Sequence, residues 1–274
     1  MTGSGAQPGQ RMRPLAEWRD AGLQLRGVFT DIDDTLTLSG RVPGRVFTAM
    51  ERLQQAGMLV IPVTGRPAGW CDMIARTWPV DAVVGENGAL AYRYDEAARR
   101  MIRLYADDPE QRELNRKRLA ELAPVILAAV PGARIAADQA FRETDLAVDF
   151  AEDTGPLSDS EIQQIVDAFE RAGAVAKVSS IHVNGWFGNY DKLAMTRRLM
   201  AEVFSQSEQQ LKSAFTFSGD SPNDAPMFGF FDQSVGVANL QPFASRCEAL
   251  PTWITQQDGG DGFVELVDHL LAIR

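Results

Sequence analysis

The sequence predicts an α/β protein: a Rossmann-like parallel-sheet core with an inserted α+β cap domain. Three observations carry that expectation. Near both ends of the chain, short and almost wholly apolar runs alternate with amphipathic stretches, the pattern of parallel strands covered on both faces. Between them, apolar and polar residues alternate with a period of two around two helical segments, as in a half-exposed antiparallel sheet. The first rhythm resumes at Gly188, so one domain is split in sequence by another.

The elements follow in order. Residues 1–23 are expected to form a flexible lead-in, the Gly-, Pro- and Arg-rich residues 1–20 being either a frayed tail or a loosely docked segment. LRGVFTDI is a buried strand, PGRVFTAMERLQQAG an amphipathic helix ended by Gly57, and MLVIPVT a second buried strand. PAGWCDMIARTWP is a helix opened by Pro67, and DAVV a third core strand. GENGALAYRY and RRMIRLYA, joined by DEAA, form a hairpin. PEQRELNRKRLAELAPVILAAV is a long helix whose Arg/Lys run at 112–118 is a solvated face. RIAAD, DLAVDFAE, the helix SDSEIQQIVDAFERAG and the strand AVAKVSSIHVNGWF complete the insert. The core then continues through the helix DKLAMTRRLMAEVF, the strand SAFTFSGD, the helix SPNDAPMFGFF, the strands SVGVAN and TWIT, and a closing helix that carries His269 on its surface. The expected division is a core of 24–88 and 188–274 with a cap of 89–187, and Gly88, Gly185 and Gly188 give backbone freedom at the crossings.

Composition narrows the function. The 274 residues are 45% apolar and 23% charged, as in an ordinary globular protein. A net charge of −10 argues against duplex nucleic acid or an anionic membrane as partner. Cys71 and Cys247 are too few for a disulfide framework or a Cys-rich zinc site and are expected to be small buried hydrophobes. No stretch approaches the roughly 18 apolar residues of a membrane span, and the N-terminus lacks a signal-type apolar core. A cytoplasmic protein, monomeric or a small homo-oligomer, is expected.

Four polar clusters fall at the carboxyl ends of predicted core strands, where open parallel sheets bind ligands: Asp31-Ile-Asp33-Asp34-Thr35, Thr64-Gly65-Arg66-Pro67, Gly85-Glu86-Asn87-Gly88 and Gly219-Asp220-Ser221-Pro222-Asn223-Asp224. Lys192 opens the helix after the insert. Each cluster alone has an ordinary structural reading: an acidic turn, a helix N-cap at Thr64, a solvated lysine, a capped turn with Pro222 in the first helical position. Their recurrence at one rim is what separates function from those readings.

DxDxT after a strand, a strand-ending Thr-Gly-Arg, a helix-opening Lys and GDxxND resemble the haloacid dehalogenase superfamily of phosphohydrolases. The placement of the insert is similar to the type IIB branch, which includes sucrose-phosphate, mannosyl-phosphoglycerate and trehalose-phosphate phosphatases. The resemblance spans residues 24–274 and is specific in the four core motifs, whereas the insert matches in outline only. It implies that Asp31 attacks phosphorus and forms an aspartyl-phosphate, and that Asp33 protonates the leaving oxygen and then activates water. Dividing a very slow hydrolysis into two steps is the chemical gain.

The charge of this cluster calls for a cation. Asp31, Asp33, Asp220 and Asp224 bring four negative charges and a phosphate dianion two more, against one from Lys192. Mg²⁺ suits oxygen ligands. Asp31, Asp220 and the carbonyl of Asp33 are expected as ligands, with Asp224 either a ligand through water or an anchor. The phosphate would be held by the Thr64 hydroxyl, Lys192, backbone N–H groups after Asp31 and at Gly65, and, by resemblance, the Asn223 amide. Asp34 stands where many relatives carry Gly and is expected to point outward from a turn.

Further candidates are Asn87, as hinge turn or substrate contact, and His182, Asn184 and Trp186, which share one face of a predicted strand. Those three suit a sugar-binding face, which Lys177 and Ser179 extend, and suit a half-buried strand equally. Arg66 is read as a salt-bridge residue at the rim, with phosphate contact as the alternative. The expected activity is Mg²⁺-dependent hydrolysis of a small phosphorylated metabolite such as a sugar phosphate. The alternatives are a phosphomutase with the same core motifs, a receiver-type signalling module, whose motif order differs, and a non-catalytic phospho-ligand-binding protein.

Overall fold

The computed structural model describes residues 11–19, 25–179 and 181–274. Of the predicted lead-in, residues 1–10 and 20–23 lie outside the described residues. The chain runs through β1 (Arg13–Pro14), β2 (Gly27–Thr30), α1 (Gly44–Gln55), β3 (Leu59–Pro62), α2 (Ala68–Thr77), β4 (Val83–Gly85), β5 (Leu90–Asp95) and β6 (Arg100–Tyr105). Next come α3 (Pro109–Ala129), β7 (Arg134–Ile135), β8 (Leu146–Asp149), α4 (Asp159–Arg171), β9 (Val175–Val178) and β10 (His182–Trp186). It closes with α5 (Lys192–Glu202), α6 (Glu208–Ala214), β11 (Phe215–Gly219), α7 (Ala225–Phe230), β12 (Gln233–Gly236), β13 (Trp253–Ile254) and α8 (Gly259–Ala272).

The core is a parallel six-stranded sheet in the order β1-β13-β12-β11-β2-β3. Successive residues of its strands bury on opposite faces. Val28 and Val60 pack with Val46 and Met50 of α1 and Phe263 and Val267 of α8. Phe29 and Ile61 pack with Met195 and Leu199 of α5 and Met227 of α7. That double burial is why adjacent positions of these strands, such as Val28-Phe29 and Val60-Ile61, are both apolar.

Where it is described, the lead-in takes the docked of its two expected forms. β1 pairs in parallel with β13, and Trp18 is buried and stacked on Trp253 with ring centroids 5.6 Å apart. Burying such a ring is worth on the order of 2–3 kcal/mol, enough to hold a short segment. His269, expected at the surface, lies beside it, its Nε2 3.0 Å from the Trp18 carbonyl.

DAVV is a strand, but it is not the third parallel strand expected. It makes a single parallel bridge to the core, Val63 with Val84, and pairs antiparallel with β5, which pairs in turn with β6. The left-handed backbone of Glu86 and Asn87, at φ +44° and +55°, turns the chain back on itself. Side chains of the resulting hairpin, among them Leu90, Ala91 and Tyr92, enter the two core clusters. We therefore propose residues 106–108 as the first crossing into the cap in place of Gly88.

The cap sheet is antiparallel, in the order β7-β8-β10-β9. The stretch predicted as one strand, AVAKVSSIHVNGWF, is a hairpin of β9 and β10 that sets Lys177 opposite Asn184. One face of the sheet buries Leu146, Val148 and Val183 against Leu119 and Ile126 of α3 and Ile165 and Phe169 of α4. His182 and Asn184, at alternate positions, point the other way, toward the core. Gly185 is a packing position inside β10, since a Cβ there would lie 2.1 Å from the Phe169 ring. Gly88, at φ +99°, does need glycine: a Cβ would sit 2.0 Å from the Asp191 carbonyl oxygen, so the segments before α5 and after β4 touch backbone to backbone. No helix among the described residues is long and apolar enough to cross a membrane.

Candidate active site

The carboxyl ends of β2, β3 and β11 and the start of α5 meet in one cleft beneath the cap. Asp31 follows β2 and is tied to the neighbouring strand by its N–H, which donates to the Ser218 carbonyl at 2.9 Å. The next residues coil tightly, with Leu36 N–H bonded to the Ile32 carbonyl at 2.8 Å. Asp34 takes a left-handed conformation in that coil, φ +56°, and its N–H donates to the Thr37 hydroxyl at 2.7 Å. The turn therefore explains Asp34 as a conformational residue.

Asp220 follows β11. Its Oδ1 accepts from the Thr35 hydroxyl at 2.8 Å, which joins the two motifs directly. Asp224 closes the following turn, its Oδ2 accepting from the Asp220 N–H at 3.2 Å. Gly219 makes room for that return, because a Cβ there would meet Asp224 Oδ2 at 2.5 Å. Lys192 begins α5, behind the N-cap Asp191, and its ammonium donates to Asp31 Oδ1 at 2.9 Å and Asp224 Oδ1 at 2.8 Å.

One oxygen from each of Asp31, Asp220 and Asp224 lies within 4.8 Å of the others, and all three residues are buried. Burial pushes the Asp31 carboxyl up to about 7, against the pull of Lys192, with Asp224 and Asp33 adding to the rise. Asp220 is raised well above the usual carboxylate range, first by burial and then by Asp31 and Asp224. Burial opposes the charge of Lys192, but Asp224 and Asp31 outweigh it and the ammonium is kept charged. A group of buried, mutually repelling oxygen donors fits a hard divalent cation such as Mg²⁺, which restores their ionised forms. Asp224, already bound to Lys192 and two backbone N–H groups, is suited to the anchoring role.

The remaining candidates divide. Gly65, Asn87, Asn223, His182 and Asn184 line the cleft with the core aspartates. Asn87 points a buried Nδ2 that has no hydrogen-bond partner, and Asn223 Oδ1 accepts from the Ser221 hydroxyl at 2.7 Å. Thr64 is fully buried at the end of β3, its hydroxyl accepting from the Arg66 N–H at 3.0 Å. Trp186 is not among the cleft-lining residues; it stacks on Tyr190 at 5.6 Å.

Sequence reasoning missed the ionic lattice that joins cap to core. Arg66 is buried, not on the rim. Its Nη2 donates to Asp33 Oδ1 at 2.8 Å and to Glu152 Oε1 at 3.0 Å, and Nη1 lies 3.6 Å from Asp138. Arg142 of the cap pairs with Asp138 and Asp145 and donates to the Gly65 carbonyl at 2.9 Å. His182 Nε2 lies 2.9 Å from Glu152 Oε2, not aligned for a hydrogen bond. The closeness of His182, with the Arg66 guanidinium, holds the Glu152 carboxyl below the usual carboxylate range. Glu86 is a second tie. It accepts from the N–H groups of Ala68, Glu143 and Thr144 at 2.8, 2.9 and 2.7 Å, and from the Thr144 hydroxyl. The one sequence signal for this lattice was acids at the ends of the short cap strands.

Residues 28–112 match the model of the haloacid dehalogenase-like hydrolase family. No curated protein matches the chain. Among solved structures, the Thermoplasma acidophilum protein 0175 has a TM-score of 0.69 at 17% identity, over 90% of this chain and 99% of that one. The sucrose-phosphatase of Synechocystis sp. PCC6803, solved with sucrose and phosphate, has a TM-score of 0.61 at 15% identity, over 90% and 98%. The subclass IIB sugar phosphatase BT4131 has a TM-score of 0.61 at 14% identity, over 91% and 100%. At these identities the likeness is one of fold.

Proposed function

We propose that this haloacid dehalogenase-like hydrolase is a Mg²⁺-dependent phosphatase that cleaves a small phosphomonoester, a sugar phosphate or related metabolite, through an aspartyl-phosphate. The observation that carries the reading is the convergence of Asp31, Asp220, Asp224 and Lys192, distant in sequence, within direct hydrogen-bonding or ligating reach.

A carboxylate oxygen of Asp31 attacks phosphorus, the new O–P bond forms, and the bond to the leaving oxygen breaks. Asp33, two residues on, gives that oxygen its proton. Water then attacks the phosphorus of the acyl phosphate, Asp33 takes the water's proton, and Asp31 is released with inorganic phosphate. Lys192 balances charge on Asp31 and the phosphoryl oxygens, with Thr64, Gly65 and Asn223 as further donors. Asp31, Asp220 and the Asp33 carbonyl would hold Mg²⁺, with Asp224 bracing them, and the bound ion would offset the charge gathered on the transferring group. Arg66 fixes where the Asp33 carboxylate points. The cap shelters these steps from bulk water, its His182 and Asn184 facing the leaving group and Asn87 offering its amide.

Phosphate release from a panel of phosphorylated metabolites, with and without Mg²⁺, tests the reading. Metal-dependent release from small sugar phosphates supports it. Isomerised sugar phosphate without free phosphate, or no reaction with any phosphoester, contradicts it.

A further inference from the structure

We infer, on the basis of the phosphatase reading above, that the site takes phosphomonoesters whose leaving alcohol carries no second anionic group, and that Glu152 is the residue that enforces this choice. The observation is a charge balance. Among the described residues, the lysine and arginine side chains that line the cleft are Arg66, Arg142 and Lys192. Lys192 is committed to Asp31 and Asp224. Arg66 faces Asp33, Glu152 and Asp138, at 2.8, 3.0 and 3.6 Å. Arg142 faces Asp138 and Asp145, both at 3.0 Å. The two guanidiniums that line the cleft therefore already meet four carboxylates, Asp33 in the cleft and Asp138, Asp145 and Glu152 behind or beside it.

Among the described residues that line the cleft, a carboxylate or second phosphate brought in by the substrate finds no lysine or arginine without a carboxylate partner. It meets like charge instead, which is unfavourable at contact distance. A neutral hydroxylated alcohol meets the opposite situation. Its hydroxyls can donate to the surplus carboxylate oxygens and to the Asn184 carbonyl, which is left over because the Asn184 amide donates to Asp145 at 2.9 Å. Buried acceptors that need donors favour polyols and reject anions.

Glu152 stands out among the four acids. Asp33 belongs to the reaction, and Asp138 and Asp145 are buried partners of Arg142. Glu152, with 31% of its side chain exposed, sits in the loop after β8 and adds a second carboxylate within 3.0 Å of Arg66 Nη2. Without its charge, Arg66 keeps Asp33 and gains capacity for an incoming anion.

The test uses matched substrates differing in one carboxylate: glucose 6-phosphate against 6-phosphogluconate, glycerol 3-phosphate against 3-phosphoglycerate, and phenyl phosphate against 4-carboxyphenyl phosphate. The aryl pair decides if neither aliphatic pair is turned over. For the wild type, kcat/KM is expected to favour the neutral member by about tenfold or more, and Glu152→Gln to narrow that ratio by at least roughly threefold through a gain on the anionic member. Equal turnover of both members by the wild type, or an unchanged ratio in the variant, overturns the specificity inference and leaves the phosphatase reading standing. No phosphate release from any of the six compounds contradicts the phosphatase reading and the inference with it.

Discussion

Arg66 grips Asp33 through two nitrogens, Nε at 3.0 Å from Oδ2 and Nη2 at 2.8 Å from Oδ1. The guanidinium comes from the loop after β3 and the carboxylate from the loop after β2, so the group proposed as acid and base is aimed by a second motif. A lysine carries the charge but cannot reproduce the planar fork. Arg66→Lys is expected to lower kcat/KM by roughly 10- to 100-fold, the range of a lost charge-assisted hydrogen bond. Steady-state kinetics, with a thermal melt to verify folding, check this. Activity equal to wild type would remove Arg66 from the mechanism.

Mg²⁺ binding should release protons. The Asp31 carboxyl sits at about 7 and Asp220 well above its ordinary range, both through burial, so near pH 6.5 the site holds protons that the cation must displace. Affinity therefore rises as pH rises through about 7. Titration calorimetry in two buffers of different ionisation enthalpy reads the released protons. Asp220→Asn should weaken binding and reduce the release, and identical heats in both buffers would contradict the account.

Glu86 makes a distinct pH prediction. Burial first, and then Asp145, push its carboxyl from 4.5 up to about 7, although donors from Thr144, Glu143 and Ala68 pull the other way. In that window the folded state binds more protons than the unfolded one, so this group's contribution to stability falls as pH rises from 4.5 to 7. Glu86→Gln removes the cost of ionisation. The melting temperature of the variant minus that of the wild type should therefore shift in the variant's favour between pH 5 and pH 8, values bracketing about 7. A difference that stays flat with pH would refute it.

The residues legible in the sequence were those whose meaning is local. Asp31, Thr64, Lys192 and Asp220 each stand at the end of a strand or the start of a helix, and the parallel sheet brings such ends to one rim. Val28 and Phe29 announced double burial simply by both being apolar. The ionic lattice was not legible, since Arg142, Asp138, Asp145 and Glu152 have the composition of a solvated surface, yet the first three are buried and Glu152 is drawn to Arg66 across the cleft. DAVV has the apolar run of a parallel strand, and the left-handed Glu86 and Asn87 that reverse its partner carry no glycine signal. Trp18 looked like part of a tail because its partner, Trp253, lies at the far end of the chain.

The central claim is that Asp31 is the nucleophile, and trapping the covalent intermediate tests it most directly. Asp33→Asn, mixed with Mg²⁺ and a phosphoester the wild type hydrolyses and then quenched in acid, should show by intact mass a protein heavier by one phosphoryl group. Peptide mapping should place that group on Asp31. A phosphoryl group on another residue, or phosphate released by this variant at the wild-type rate with no labelled protein, would contradict the account.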